Sequence, residues 1–370
     1  MLESLISTKL LLQLSSKLVI LFSLVLIVIS ANKAGLIGLL TKPFGLIKNQ
    51  KTMLLAWFIF SCAFSPFFPN SICATILVPI ALIYAENRNI NKTALILTLG
   101  TSIIVGNNFL PTGGGGNLMA WGLLENRVGH DLSSLVWLRM MFVPTLISAI
   151  ISLFVLWKMV YSKLSDTLNN DISSPPKITP LFIVNSILFA FGIYAGLFKL
   201  DNYYLVADAV IMLIINRPDK SCFSKLPYKA LLIYSIAMIV GSLTGQLVKA
   251  NPNFTDILTI DFSFLHVFLI SILSAFSTNL IDNGAVTAIL IPSILSFTEG
   301  NNFWLWAFLM NTFNVGFATI FANTVWQVSC SYGLKQKDLF KVGFVLAILH
   351  VMAFSIYFYI MQGSNVFTVL

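Results

Sequence analysis

The same polar signature occurs twice in this chain, 213 positions apart, inside otherwise apolar sequence. Ser65-Pro66-Phe67-Phe68-Pro69-Asn70, leading to Pro79, is matched by Thr278-Asn279-Leu280-Ile281-Asp282-Asn283, leading to Pro292. Each copy has a hydroxyl residue five positions before an Asn and a Pro nine positions after it. Ser61/Ser274, Ile76/Ile289, Leu77/Leu290 and Glu86/Glu299 keep the same offset. Asn and hydroxyl side chains are costly in hydrocarbon unless they find partners. The duplication therefore requires a fold in which two related segments place polar groups where they can be satisfied.

The hydrocarbon setting follows from composition. Over 370 residues, 57% are hydrophobic, only 10% are charged, and the mean hydropathy is +0.89, too apolar for a soluble globule. Runs at 18–40, 143–160, 180–198, 230–248 and 342–361 are long enough to span a bilayer. The expected fold is an all-α polytopic membrane protein in a lipid bilayer. No cleavable signal peptide is evident, since Asn32-Lys33 rather than a small-residue site follow the first apolar run. Residues 2–14 could form a short amphipathic surface helix. Cys62, Cys73, Cys222 and Cys330 are scattered and read as reduced thiols; His130, His266 and His350 lack metal-binding spacing. The net charge of +8 does not cluster with aromatics, so no nucleic-acid partner is expected.

The first repeat is read as 1–160, with a span at 17–40, a re-entrant hairpin at 52–86, a broken helix at 93–125 and a span at 132–160. A cytoplasmic linker occupies 161–178, and connecting transmembrane helices occupy 179–227, at 179–198 and 202–216. The second repeat, 228–370, contains a span at 228–249, a hairpin at 262–299, a broken helix at 303–334 and a last span at 339–361. If both hairpins enter and leave by one face, Lys42, Lys48, Lys51, Arg88, Lys92, Lys158, Lys163, Lys177, Arg217, Lys220, Lys225, Lys229, Lys335, Lys337 and Lys341 share a side. These are 15 of the 22 basic residues. The positive-inside rule places that side in the cytoplasm, the first hairpin entering from it and the second from outside. Both termini are then expected outside. Two inverted repeats with broken helices are what a transporter needs to build a site near the membrane midplane.

At the tips, Pro66 and Pro69 disrupt helix and leave carbonyls of the preceding turn unpaired. Those carbonyls, the Ser65 hydroxyl and the Asn70 amide oxygen are hard ligands suited to a small cation. The helix restarting after Asn70 would favour an anion at its N-terminus. Packing of a kinked helix is the plainer reading of one copy; two copies favour a site. The second break, Gly106-Asn107-Asn108-Phe109-Leu110-Pro111-Thr112-Gly113-Gly114-Gly115-Gly116-Asn117, is expected to be unwound, since four consecutive Gly do not hold stable helix. Its counterpart, Ala322-Asn323-Thr324-Val325-Trp326-Gln327, reads as less broken. Asp282 is an ionisable group at membrane depth, a candidate for ion or proton coupling or, alternatively, a helix N-cap. Asp208, inside 202–216, reads as structural or pore-facing.

These motifs resemble the ion transporter superfamily of divalent-anion/sodium symporters, arsenite permeases and bacterial-type Na+/H+ antiporters, over about 17–361. The symporters carry Ser-Asn-Thr at each tip; here the tips read Pro69-Asn70-Ser71 and Asp282-Asn283-Gly284. Gly284 stands where a hydroxyl would contact carboxylate, and Asp282-Asn283 looks like the antiporter and arsenite-permease branch. The resemblance implies Na+ as coupling ion, held by Ser65, Asn70 and the Gly113 backbone in one site. Thr278, Asn283 and the Ala322 backbone would form the other. Substrate contacts are assigned to Asn70, Ser71, Asn283, Gly114, Asn117 and Thr324, and a homodimer is the implied assembly. The expected function is a secondary active transporter of a small anion, a carboxylate or inorganic oxyanion, coupled to Na+ or H+ in the cell membrane. The alternative is a Na+/H+ antiporter in which Asp282 exchanges the ion. No cofactor is expected, and no nucleophile with a base or metal ligands points to an enzyme.

Overall fold

The computed structural model describes residues 46–129, 132–164, 179–197, 202–217, 263–281, 283–296 and 303–362, with scattered positions from 19 to 44. Asp282, the linker after 164 and the span expected at 228–249 lie outside the described residues. The fold is all-α. Helices α1 (Gln50–Phe64) and α2 (Asn70–Arg88) flank a 3-10 turn at Ser65–Phe67. Helices α3 (Lys92–Gly106) and α4 (Gly115–Val128) follow, separated by a break, then α5 (Ser134–Met159). After α6 (Pro180–Leu197) and α7 (Asn202–Asn216), the series recurs. Helices α8 (Phe264–Leu280) and α9 (Asn283–Ser296) precede the interrupted pair α10 (Phe303–Phe313) and α11 (Thr324–Ser331), then α12 (Gln336–Ile360).

Local chemistry fixes these boundaries. The Asn49 side chain caps α1 by accepting from the Lys51 and Thr52 N–H groups, and the Asn91 side chain caps α3 through Ala94. Pro66 opens the turn after α1, and Pro69, extended at ψ 133, is the N-cap of α2. A proline there loses no helical hydrogen bond, because its missing N–H would be unpaired anyway. Asn89 ends α2 in the left-handed conformation at φ 56.

Helices α3 and α10 form the centre: 94–106 and 303–313 are buried throughout. A helix apolar all round belongs in the interior. Around them the halves exchange partners reciprocally, α2 packing on α11, α9 on α4 and α5 on α12. The outer helices present large apolar side chains at helical spacing, such as Phe142, Leu146, Ile150, Phe154 and Trp157 on α5, and Phe340, Phe344, Ile348, Met352 and Tyr359 on α12. Helices α5 and α12 are long and apolar enough to cross a membrane. Apolar crevices of about 600 and 550 Å3 open beside α5 and α12, on the outer side of the tips.

The breaks differ from their sequence reading. Gly115 and Gly116 form the first turn of α4, so the unwound stretch is Asn107–Gly114, held in two 3-10 turns. The first turn of a helix makes few internal bonds for glycine to weaken. The second break is the longer of the two: Asn314 to Asn323 is irregular, while Thr324–Gln327 already belong to α11. Asn279 holds it open. Its amide oxygen accepts from the Ala318 N–H at 2.8 Å, its amide nitrogen donates to the Val315 carbonyl, and its carbonyl accepts from the Thr319 hydroxyl.

Candidate functional site

Four helices, α2, α4, α9 and α11, start where α1, α3, α8 and α10 end, at the two tips and two breaks. Side-chain amides join these ends. The Asn70 amide donates to Asn323 Oδ1 at 3.2 Å, linking the first tip to the second break. The Asn283 amide donates to Asn314 Oδ1 at 2.9 Å, and the Asn314 amide to Asn117 Oδ1 at 3.2 Å. The Asn117 amide in turn donates to the Asn107 carbonyl at 2.9 Å. The Asn283 N–H donates to the Ala322 carbonyl at 3.1 Å, next to Asn323. All six asparagines are buried.

Helix N-termini carry partial positive charge and C-termini partial negative charge, so this meeting of ends can hold an anion and a cation side by side. At the tips and breaks themselves the unsatisfied atoms sort in the same way. Ser65 Oγ and Asn107 Oδ1 are buried without partners on the first tip and break, and Asn323 Nδ2 and Thr324 Oγ1 at the start of α11, while others such as Thr101 Oγ1 and Asn311 Oδ1 lie within the central helices. An amide oxygen only accepts and an amide nitrogen only donates, while hydroxyls do both. The first pair therefore offers oxygens to a cation, and the second offers donors to an anion at the start of α11. Ser65 and Asn107 are neighbours: a Cβ on Gly106 would strike the Ser65 hydroxyl and the Cys62 carbonyl, and one on Gly113 would strike the Asn107 backbone. Glycine at 106 and 113 is thus the condition for this close approach.

The expected residues divide accordingly. Ser65 and Gly113 lie on turns that meet the turn of Asn107, while Asn70 reaches across to Asn323. Not all the carbonyls expected free at the tip are free: in the turn before Pro69 the Ser65 carbonyl accepts from the Phe68 N–H and the Pro66 carbonyl from the Thr112 hydroxyl at 2.8 Å. Thr278, Asn283 and Ala322 also come together, around Gly316, but they are internally paired. The Thr278 hydroxyl donates to Ala275, and the Ala322 carbonyl is taken by Asn283. Ser71 is half-buried, its N–H donating to Asn70 Oδ1. Gly114, extended at φ −152, is the N-cap of α4. Asn117 uses its amide to tie the two breaks together. Asp282 lies outside the described residues.

Asn107 and Asn314 were missed as site residues. Their signal is an amide directly after a predominantly apolar half-helix, present in both halves. Gly284, the residue that replaces the expected hydroxyl, has a packing reason: a Cβ on Gly116 would stand 3.1 Å from the Gly284 Cα. The first turns of α4 and α9 cross there backbone to backbone.

An all-α membrane fold with paired interrupted helices around a centre that is polar and uncharged among the described residues is the build of a multi-pass transport protein. The CitMHS citrate transporter family model matches residues 4–314, and the chain belongs to that family. Among solved structures, it resembles the YdaH transporter of Alcanivorax borkumensis, whose structure was described as revealing an unusual topology. The TM-score is 0.61 at 14% identity, over 96% of this chain and 88% of that one. A search of curated proteins finds no match.

Proposed function

We propose that the protein is a secondary active transporter of a small carboxylate anion of the citrate class, driven by Na+ or H+ through a cation site at Ser65 and Asn107. The observation that carries this reading is that, at the tips and breaks, an amide oxygen with a hydroxyl is left unpaired in the first half and an amide nitrogen with a hydroxyl at the start of α11. Each unsatisfied group costs about 1–3 kcal/mol, which a bound ion or anion would recover. In this reading the two series are inverted repeats, each with a re-entrant hairpin, and they move as an elevator past α6 and α7. Transport into proteoliposomes under imposed Na+ and pH gradients, with citrate, dicarboxylates and oxyanions as cargo, tests it. Gradient-driven citrate uptake, with its affinity for citrate lowered in Asn323→Ala, is expected. Na+/H+ exchange without added anion, abolished by Asp282→Asn, would replace this reading with the antiporter.

A further inference from the structure

Away from the amide centre, one carboxyl group is buried without a partner. Asp208 on α7 is 2% exposed, and neither of its oxygens has a hydrogen bond. Its neighbours along the helix, Val206, Val210 and Ile211, are exposed apolar side chains. The carboxyl fills the notch over Gly192 of α6: a Cβ built there would stand 2.7 Å from Asp208 Oδ2 and 2.9 Å from Ile27 Cδ1. Ile27 belongs to the helical positions from 19 to 33, and one turn to either side on its face lie Ser23 and Ser30, both buried. The Ser30 hydroxyl is also unpartnered.

No charged side chain among the described residues balances Asp208. Among the described positions from 19 to 33 the cation is Lys33, which lies about three turns from Ser23 and donates to the Arg217 carbonyl at the end of α7. On α6 the titratable group is Tyr194; on α7 itself Tyr203 and Tyr204 lie about a turn before Asp208. An isolated ionised carboxylate is costly in apolar surroundings. A metal cation needs a shell of hard oxygens; one carboxyl and one or two hydroxyls do not supply it, since helix carbonyls are spent within their helices. A proton is the counter-charge that fits.

The position links this group to the moving parts. Phe189, one turn before Gly192 on α6, stacks on Phe68 at the first tip, with ring centroids 5.3 Å apart and 24° between planes. We propose that Asp208 is an exchangeable proton site behind this contact, occupied while α6, α7 and the segment from 19 to 33 are packed together and released when the tip slides past Phe189. The proton route rests on the transporter reading above; the site itself does not.

The test uses the full chain in proteoliposomes and a lipid-soluble carbodiimide, which attacks protonated carboxyls in apolar surroundings, with a water-soluble carbodiimide as control. Mass spectrometry should find Asp208 modified by the lipid-soluble reagent only, with labelling falling as pH rises and changing when citrate is added. Asp208→Asn should abolish that labelling, remain monodisperse in detergent, and flatten the pH profile of citrate uptake. Asp208→Glu should restore both labelling and profile, and Gly192→Ala should shift the pH midpoint of labelling. Absent or pH-independent labelling, or an Asp208→Asn protein with the wild-type pH profile, overturns the proposal. If the wild type moves no anion tested, the transporter reading fails while the pH dependence of labelling still decides the proton site.

Discussion

Ser65 and Thr278 hold the same place in the repeated signature, yet their surroundings divide them. Ser65 Oγ is unpartnered against Gly106, whereas the Thr278 hydroxyl is committed to Ala275. Ser65→Ala and Asn107→Leu should each weaken the apparent affinity for the coupling cation by about 1–3 kcal/mol, or roughly 5- to 150-fold. Thr278→Ala should have a markedly smaller effect. Cation titration of citrate uptake at saturating anion measures the difference, and equal losses at 65 and 278 would restore a two-site scheme. On the donor side, Asn323→Ala removes both the bridge to Asn70 and the free amide nitrogen, so anion affinity should fall while cation dependence persists. The repeat of Ser65/Thr278 and Asn70/Asn283 was legible from spacing alone. Their unequal pairing was not, because it depends on which carbonyls the folded breaks bring alongside.

Apolar run length and the placement of proline and asparagine are what make helices legible in sequence, and α7 spans Asn202–Asn216. The breaks were harder to read. A glycine run is a strong local signal, yet two of its members serve in helix because α9 crosses at Gly116, a contact 168 positions away in sequence. The second break carries no glycine run, and it stays open because Asn279 bonds two of its residues, Val315 and Ala318, through its side chain and a third, Thr319, through its carbonyl. Asn279→Leu should therefore lower stability by about 1–3 kcal/mol by stranding buried backbone groups, read as a fall in thermal midpoint in detergent. Gly343→Ala should do the same by a different route. Its Cβ would strike the Phe317 carbonyl of that break, and overpacking of this kind costs about 1–3 kcal/mol. Stability unchanged in both variants would mean that the second break is held by other contacts.

The whole molecule joins two like halves through reciprocal contacts, α2 to α11 and α9 to α4. The proposed inverted arrangement has a direct test by single-cysteine labelling in a cysteine-free background. Arg88 is a poor reporter, since it is buried and donates to the Phe44 and Ile47 carbonyls. Lys48, Asn89 and Lys337 are exposed and should all be labelled from the cytoplasm, with Arg139 labelled from outside. Labelling of Lys48 and Asn89 from opposite sides would turn the first hairpin into a crossing. The bridge from Asn70 to Asn323 has a further consequence for the proposed cycle. In that cycle it would hold the two halves together when the site is empty, so that the carrier can make its return journey unloaded. Labelled citrate should then enter at the same initial rate whether or not unlabelled citrate waits on the far side, and acceleration by that trans pool would show instead that the empty return is slow and that the bridge does not close the unloaded carrier.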